Sequence, residues 1–373
     1  MFAYLVEGIS MHLSRLLLSH FKNIDSASLE FSPRINVLYG DNGEGKTNLL
    51  DGIYYLSVCK SSLSVLDRDV IKHENQESTL FGEYNMDSGV TEKISCTISR
   101  QGGKIFKRNG KRYDKLSAHV GLIPVVMVSP QDTSLVYGSG EERRKYMNFL
   151  LSQTEPDYLQ MILEYKTLLQ QRNRLLKSDK VPYDVLEAVD VALSSRGDQI
   201  HARRTELCLL LHPHVTHYYE LLSAGKERVG LRYDSDLNRD CMANLLVKNR
   251  QKDLMLQYTG TGIQRDDVFF SLGEHPLKVC GSQGQQKTYL LALKLAQFVL
   301  IRQMKGLAPI LLLDDVFDKL DIHRVSHLLH LVTENGFGQI FLTDSNKVRV
   351  EEIIHALGGS HRIYRVKEGV FYT

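Results

Sequence analysis

Eight residues constrain this chain more than any others. Gly40-Asp41-Asn42-Gly43-Glu44-Gly45-Lys46-Thr47 matches the pattern G-x-x-x-x-G-K-[ST] at every fixed position. The β-rich run Ile35–Tyr39 precedes it, and the helical pattern Asn48–Val58 follows. A strand that ends in a glycine-rich turn and opens a helix makes a phosphate cradle. Glycines let the loop wrap closely around phosphate oxygens, and backbone N–H groups with the helix N-terminus supply positive potential. In that arrangement Lys46 reaches the β- and γ-phosphates and Thr47 ligates Mg²⁺. ATP is the expected ligand, held by the stretch Gly40 to Asn48.

A second motif agrees with the first. Ile310-Leu311-Leu312-Leu313-Asp314-Asp315 reads as a buried strand that delivers acids at its end. Asp314 is placed to hold the Mg²⁺ shell. Asp315 stands where a general base can orient an attacking water. A third motif, Ser282-Gln283-Gly284-Gln285-Gln286-Lys287, leads into an apolar helical pattern through Leu290, Leu291, Leu293, Leu295, Phe298 and Leu300. Serine and glycine at a helix start bind anions or simply cap the helix. One phosphate loop already surrounds one nucleotide's phosphates, so a second such helix end needs another use.

The rest of the chain sets the organisation. Its 373 residues are enough for two domains. Residues 11–40 read as strands over Ser14–Leu18, Ser26–Phe31 and Ile35–Tyr39. Residues 79–113 read as antiparallel strands, with Asn109-Gly110 as a hairpin turn between Ile105 and Tyr113. Leu122–Val128 reads as a buried strand. From Gly140 to about Leu256 helical periodicity takes over, punctuated by Pro156, Pro182 and Pro213. From Gly262 the strand–helix alternation returns, with Gln339–Thr343 as a further strand. The expected layout is a head made of residues 1–139 and 258–373, with an inserted helical domain at 140–257. The formal net charge is +2, so any polyanion-binding surface must be a local patch. Cys59, Cys96, Cys208, Cys241 and Cys280 are scattered, which fits reduced thiols and a cytoplasmic location. No apolar run is long enough to span a bilayer. MFAYLVEGIS at the start lacks the basic residues of a secretory signal and reads as a short extension, or as an upstream start with Met11 the usual beginning.

A phosphate loop, a distant S-x-G-Q before a helix, and an apolar Asp-Asp strand some two dozen residues later resemble an ABC-type ATPase. Asp318-Lys319-Leu320-Asp321 falls where that class has its D-loop. Within the class, the stretch from Leu13 to Ser61 resembles the RecF family of bacterial recombination mediators. So do VVMVSPQDTSLVYGSGEERRKYMN, TGIQRDDV, GSQGQQKT and ILLLDDVFDKLD. The resemblance runs from about Met11 to the C-terminus and is thin through the helical insert. It implies an α/β ABC-type head with a β-rich N-terminal lobe and an inserted helical lid. It implies an ATP-dependent head-to-tail homodimer that binds DNA, double-stranded and at gap junctions, and acts with RecO and RecR to load recombinase. It assigns Ser282, Gly284 and Gln285 to the signature that completes a second protomer's ATP site, and Gln131 to the Q-loop, as a nucleotide and Mg²⁺ ligand. Hydrolysis is expected to be weak, DNA-stimulated and slow, with Lys46 and Asp315 as its catalytic residues.

Several positions depart from the class. Gly281 and Gln283 replace the Leu and first Gly of LSGGQ, and Asp344 stands where transporters carry a switch histidine. The second acid is Asp315 rather than Glu, which argues against fast hydrolysis. Two other classes share the motif set. A transporter's nucleotide-binding subunit is disfavoured by the missing histidine and the large insert. A chromosome-organising ATPase of the SMC type is disfavoured by the lack of a long heptad arm.

Other features read either way. Lys104, Lys107, Arg108, Lys111 and Arg112 cluster around the Asn109-Gly110 turn, as a solvated hairpin tip or as a finger that contacts DNA phosphates. Arg143, Arg144, Lys145, Arg203 and Arg204 read as surface or domain-interface charges. Asn346-Lys347 matches the start of the guanine-reading N-K-x-D, but residue 349 is Arg. His212 and His214 alone are too few for a metal site.

Overall fold

The computed structural model describes residues 11–63, 65–223, 225, 227–316, 328, 331, 337–346 and 360–373. The proposed D-loop, Asp318 to Asp321, lies outside them, as do Lys347, Arg349 and the first ten residues.

In chain order, β1 (Met11–Phe21), β2 (Ile24–Glu30) and β3 (Ile35–Tyr39) lead to helix α1 (Lys46–Val58). Then come β4 (Glu77–Met86), β5 (Thr91–Ser99), β6 (Lys104–Arg108), β7 (Lys111–Arg112) and β8 (Val125–Val128). Helices α2 (Ser134–Tyr137), α3 (Gly140–Thr154), α4 (Tyr158–Leu176) and α5 (Tyr183–Ser223) follow, then β9 (Val229–Asp234) and α6 (Met242–Leu256). After β10 (Asp267–Leu272), β11 (His275–Pro276), α7 (Leu277–Cys280) and α8 (Gln283–Lys305), the described chain ends with β12 (Ile310–Leu313), β13 (Ile340–Asp344), β14 (His361–Lys367) and β15 (Val370–Tyr372).

The chain packs as two compact units, residues 1–132 with 294–373, and residues 133–293. These divisions differ from those expected at 139/140 and 257/258. The reason is β9. It lies inside the stretch read as helical and pairs antiparallel with β10, Leu231 opposite Phe270. That pairing draws residues beyond 257 into the unit that holds the helices.

The first unit contains two six-stranded sheets. One is antiparallel, in the order β2-β1-β4-β5-β6-β7, and its alternating burial leaves one face to solvent. Its β6–β7 turn has positive φ at Asn109 (50°) and Gly110 (81°), the type I′ geometry that Asn-Gly favours. The other sheet runs β15-β14-β3-β13-β12-β8 and is parallel except for β15. Strands β8, β12 and β13 are buried throughout, as parallel strands covered on both faces must be. Gln339, itself buried, joins the sheets: its amide accepts from Leu13 N–H at 2.7 Å and donates to Leu13 O at 2.8 Å. Ligands of open parallel sheets sit beyond the carboxyl ends of the strands. Gly40, Asp314, Ser129 and Ser345 all follow strands at that edge.

In the second unit, two buried arginines hold the segment Thr259–Asp266. Arg172 on α4 donates to Asp190 (2.6 Å), Asp253 (2.7 Å) and Thr259 (2.8 Å). Arg204 on α5 donates to Ile263 O (2.8 Å) and Asp266 (3.1 Å). Arg204 is therefore a core residue rather than a surface charge, while Arg203 is half-exposed beside Glu155. Arg143 is bidentate to Asp267 on β10. Pro213, one of the prolines that punctuate the helical stretch, lies inside α5. A proline there removes one backbone hydrogen bond. The buried stripe Leu207, Leu211, Val215, Tyr218, Leu222 continues across it and keeps the helix going.

Candidate nucleotide site

β3 carries the chain into the glycine-rich loop. Gly43 and Gly45 take φ of 88° and 111°, a region that residues with a Cβ rarely adopt. Helix α1 then begins at Lys46. Lys46 is only 4% exposed, and its ammonium donates to the Gly40 and Asp41 carbonyls at 2.6 and 2.9 Å. Asp41 and Asn42 are exposed on the loop, and Asn48 donates to the Asn23 side chain at 2.7 Å.

The acids of the second motif meet this loop. Thr47 Oγ1 donates to both carboxylate oxygens of Asp314, each at 2.9 Å. Burial pushes the Asp314 carboxyl above the usual carboxylate range, against hydrogen bonds from Thr343 and Thr47 that lower it. Asp315 takes a positive φ of 46°, uncommon for a non-glycine residue. Its N–H donates to Thr343 Oγ1 at 3.0 Å, and that hydroxyl donates to Asp314 Oδ1 at 2.8 Å. Thr343 thus holds both acids, a role its sequence did not advertise. Asp344 ends the same strand, and its carboxylate accepts from Asn346 N–H at 2.7 Å. A buried carboxylate faced by a threonine hydroxyl fits a hard, oxygen-ligated cation such as Mg²⁺.

Gln131 sits on a short 3₁₀ turn after β8, exposed, with no hydrogen bond to Thr47 or Asp314. The turn itself is anchored. Asp132 accepts from Ser129 N–H at 2.7 Å and pairs with Lys294 on α8 at 2.6 Å, while Lys294 also donates to Met127 O at 2.8 Å. Lys294 was not singled out from sequence. A lone lysine among the leucines of an apolar helix was the available signal.

In the second unit, Ser282 is exposed and precedes α8. Its hydroxyl accepts from Gln285 N–H at 3.3 Å, and Gln285 Oε1 accepts from Ser282 N–H at 2.6 Å. That reciprocal pair is a capping box. Gln285 also donates to Glu227 at 2.5 Å, and Gly284 lies within the first turn.

The basic cluster of the hairpin divides. Lys104 side chain is 16% exposed, pairs with Asp67 at 2.9 Å and donates to Cys59 O at the end of α1. Arg108 is bidentate to Glu92. Both belong to the inward face of the sheet, which corrects their grouping with an exposed finger. Lys107, Lys111 and Arg112 are exposed and have no ion pair among the described residues. Lys107 and Arg112 stand directly opposite each other across β6 and β7.

Among the described residues no helix is long and apolar enough to cross a membrane, and no group of three His, Cys, Asp or Glu could hold a metal. The RecF/RecN/SMC N terminal domain family matches residues 12–368. The chain is 42% identical over 359 residues to the DNA replication and repair protein RecF of Parabacteroides distasonis, covering 96% of this chain and 98% of that protein. It is 39% identical over 361 residues to the protein of the same name from Bacteroides thetaiotaomicron, covering 96% and 98%. A solved structure of the recombination mediator protein RecF with ATP, in the RecFOR pathway, superposes with a TM-score of 0.89 at 26% identity, covering 99% of each chain. The Smc head domain of Pyrococcus furiosus shares the fold alone, with a TM-score of 0.57 at 15% identity over 97% of this chain and 95% of that one. The expected α/β fold of an ABC-type ATPase head is the fold of this chain.

Proposed function

Because this chain belongs to the RecF family of DNA replication and repair proteins, we propose that it is an ATP-dependent DNA-binding protein of recombinational repair. ATP lies in the cradle Gly40 to Thr47, and Lys46 exchanges its two carbonyl partners for β- and γ-phosphate oxygens. The carrying observation is the four-residue network Thr47–Asp314–Thr343–Asp315 at the carboxyl edge of the parallel sheet. Thr47 and Asp314 would hold Mg²⁺, with Gln131 as a further candidate ligand. Bound Mg²⁺ supplies charge neutralisation at the β- and γ-oxygens. Asp315 orients the attacking water, and an Asp in that place makes hydrolysis slow.

Two copies close head-to-tail, each nucleotide lying between Lys46 of one copy and Ser282 of the other. Ser282 is exposed at a helix start, which suits a phosphate that arrives with a partner. DNA is held through its phosphates by Lys107, Lys111 and Arg112. Like charges directly opposite across a strand pair destabilise it, and an anion relieves the Lys107–Arg112 repulsion. The protein works in the cytoplasm on double-stranded DNA and gap junctions, with RecO and RecR, to load recombinase; DNA stimulates hydrolysis, which releases the clamp.

ATP binding and molecular mass, each measured with and without Mg²⁺ and DNA, test this reading. Saturable ATP binding that Lys46→Ala abolishes, and a doubling of mass with ATP, are expected. A chain that binds ATP equally well without Lys46 contradicts it.

A further inference from the structure

The last two strands close on the phosphate loop. β14 and β15 are joined by Glu368-Gly369, with φ of 51° and 76°, a type I′ hairpin turn. Both amides of that turn point at one residue. Glu368 N–H donates to the Glu44 carboxylate, and Gly369 N–H donates to the Glu44 carbonyl at 2.8 Å. A Cβ on Gly40 would lie 2.2 Å from the Val366 carbonyl oxygen, and one on Gly369 would lie 2.7 Å from that of Asn23. The loop is therefore gripped from outside by the C-terminal turn and by the β1–β2 turn.

Glu44 is an odd residue to find there. It puts a negative charge into a loop whose amides and lysine collect anions. A carboxylate free to swing toward a triphosphate repels it. A carboxylate that accepts a charge-assisted N–H bond from Glu368 is held on the outer side of the loop. Asp41, the loop's other acid, is exposed to screening water.

We propose that the turn Glu368-Gly369 is a positioning element of the nucleotide site, which turns the Glu44 carboxylate away from the phosphates and fixes the loop's shape. This rests on Gly40 to Thr47 being the ATP cradle. The turn's two amides reach the loop at Glu44, 324 positions earlier in the chain. Any change that unseats it releases a negative charge against ATP, and neutralising Glu44 removes that penalty.

The test compares affinities for a fluorescent ATP analogue and for AMP. Wild type and Lys46→Ala come first; equal binding by both sinks the ATP cradle and this proposal together. Gly369→Ala and the harsher Gly369→Val follow, alone and with Glu44→Gln, each below its own melting temperature. Gly369→Ala should weaken ATP about tenfold, with a smaller loss for AMP, and Glu44→Gln should recover most of the lost ATP affinity. Wild-type affinity in both Gly369 variants overturns the proposal. So does a loss that Glu44→Gln leaves untouched, since the turn would then act by packing alone. Hydrogen exchange gives a readout that needs no Gly369 variant. Glu44→Ala should speed exchange of the Glu368 amide, and an unchanged rate contradicts the tether.

Discussion

The hydroxyl of Thr47 donates to both carboxylate oxygens of Asp314 at 2.9 Å, across 267 positions of sequence. That contact places the end of the phosphate loop against the acid at the tip of β12. Asp314 holds its proton more tightly than an ordinary carboxylate, chiefly through burial. A proton therefore competes with Mg²⁺ at a higher pH than it would at an exposed Asp. The Mg²⁺-dependent gain in ATP affinity should shrink as the pH is lowered from neutrality, beginning above the usual carboxylate range. Asp314→Asn should lose that gain at every pH. Titration calorimetry with Mg²⁺ and with EDTA checks both statements, and a gain intact in Asp314→Asn would place the metal elsewhere.

Thr343 connects the two acids, accepting from Asp315 N–H and donating to Asp314. Thr343→Val keeps the shape and removes both bonds. It should lower Mg²⁺-dependent affinity by about tenfold and slow turnover at saturating ATP, because Asp315 loses the anchor of its positive φ. Thr343→Ser should restore both. Steady-state kinetics in kcat and KM decide it; a valine variant with normal kcat removes Thr343 from the site.

His119 supplies a pH dependence of stability. Its Nε2 lies 2.6 Å from Leu56 O at the end of α1, so that nitrogen carries the proton, and Nδ1 accepts from Tyr113 OH at 3.1 Å. Burial holds the imidazole below its ordinary pKa. The folded state thus keeps it neutral, while the unfolded chain takes up a proton near pH 6.5. The stability contributed is complete above about pH 6.5 and is lost as the pH falls below that. His119→Phe should have a lower Tm at pH 7, from a loss of about 1–3 kcal/mol, and a shallower fall of Tm between pH 7 and 5.5. Parallel slopes for variant and wild type would contradict the assignment.

For DNA, replacing Lys107, Lys111 and Arg112 with Gln should flatten the dependence of log affinity on log salt, by about 0.7–0.9 for each lost phosphate contact. Lys104→Gln should instead lower Tm, because it removes the partner of Asp67 and the Cys59 carbonyl. An unchanged salt slope in the triple variant makes the hairpin an ordinary solvated tip.

What could be read from sequence was local. GDNGEGKT and ILLLDD carry their chemistry within a few consecutive residues, so strand, loop, helix and acid could be placed without knowing the fold. The hairpin turn was legible for the same reason, since Asn-Gly fits positive φ at both positions. Its side chains were misassigned although the signal was present. In a strand, alternate residues face opposite sides. Phe106 must face the core, so Lys104 and Arg108 share its face and Lys107 does not. Strand β9 was hidden because its buried residues, Val229, Leu231 and Tyr233, span only a short alternation between two long helices. Lys294 stood out as a lone lysine in an apolar helix, but its role, that of Thr343 and the Glu44 tether lay beyond reach. Their partners are set by strand order and by a turn at the far end of the chain, which no local pattern encodes.

The head-to-tail closure is the central claim, and mixing two defective proteins tests it most directly. Ser282→Arg should bind ATP as a monomer and fail to close on a partner's nucleotide, while Lys46→Ala should fail to bind. In a mixed pair both lesions fall in one site, and the other site has a normal Lys46 and a normal Ser282. About half of randomly formed pairs are mixed. Sedimentation with ATP and Mg²⁺ should therefore show monomer for each variant alone and a partial return of dimer for the mixture. A Ser282→Arg protein that dimerises with ATP as the wild type does would contradict the composite site.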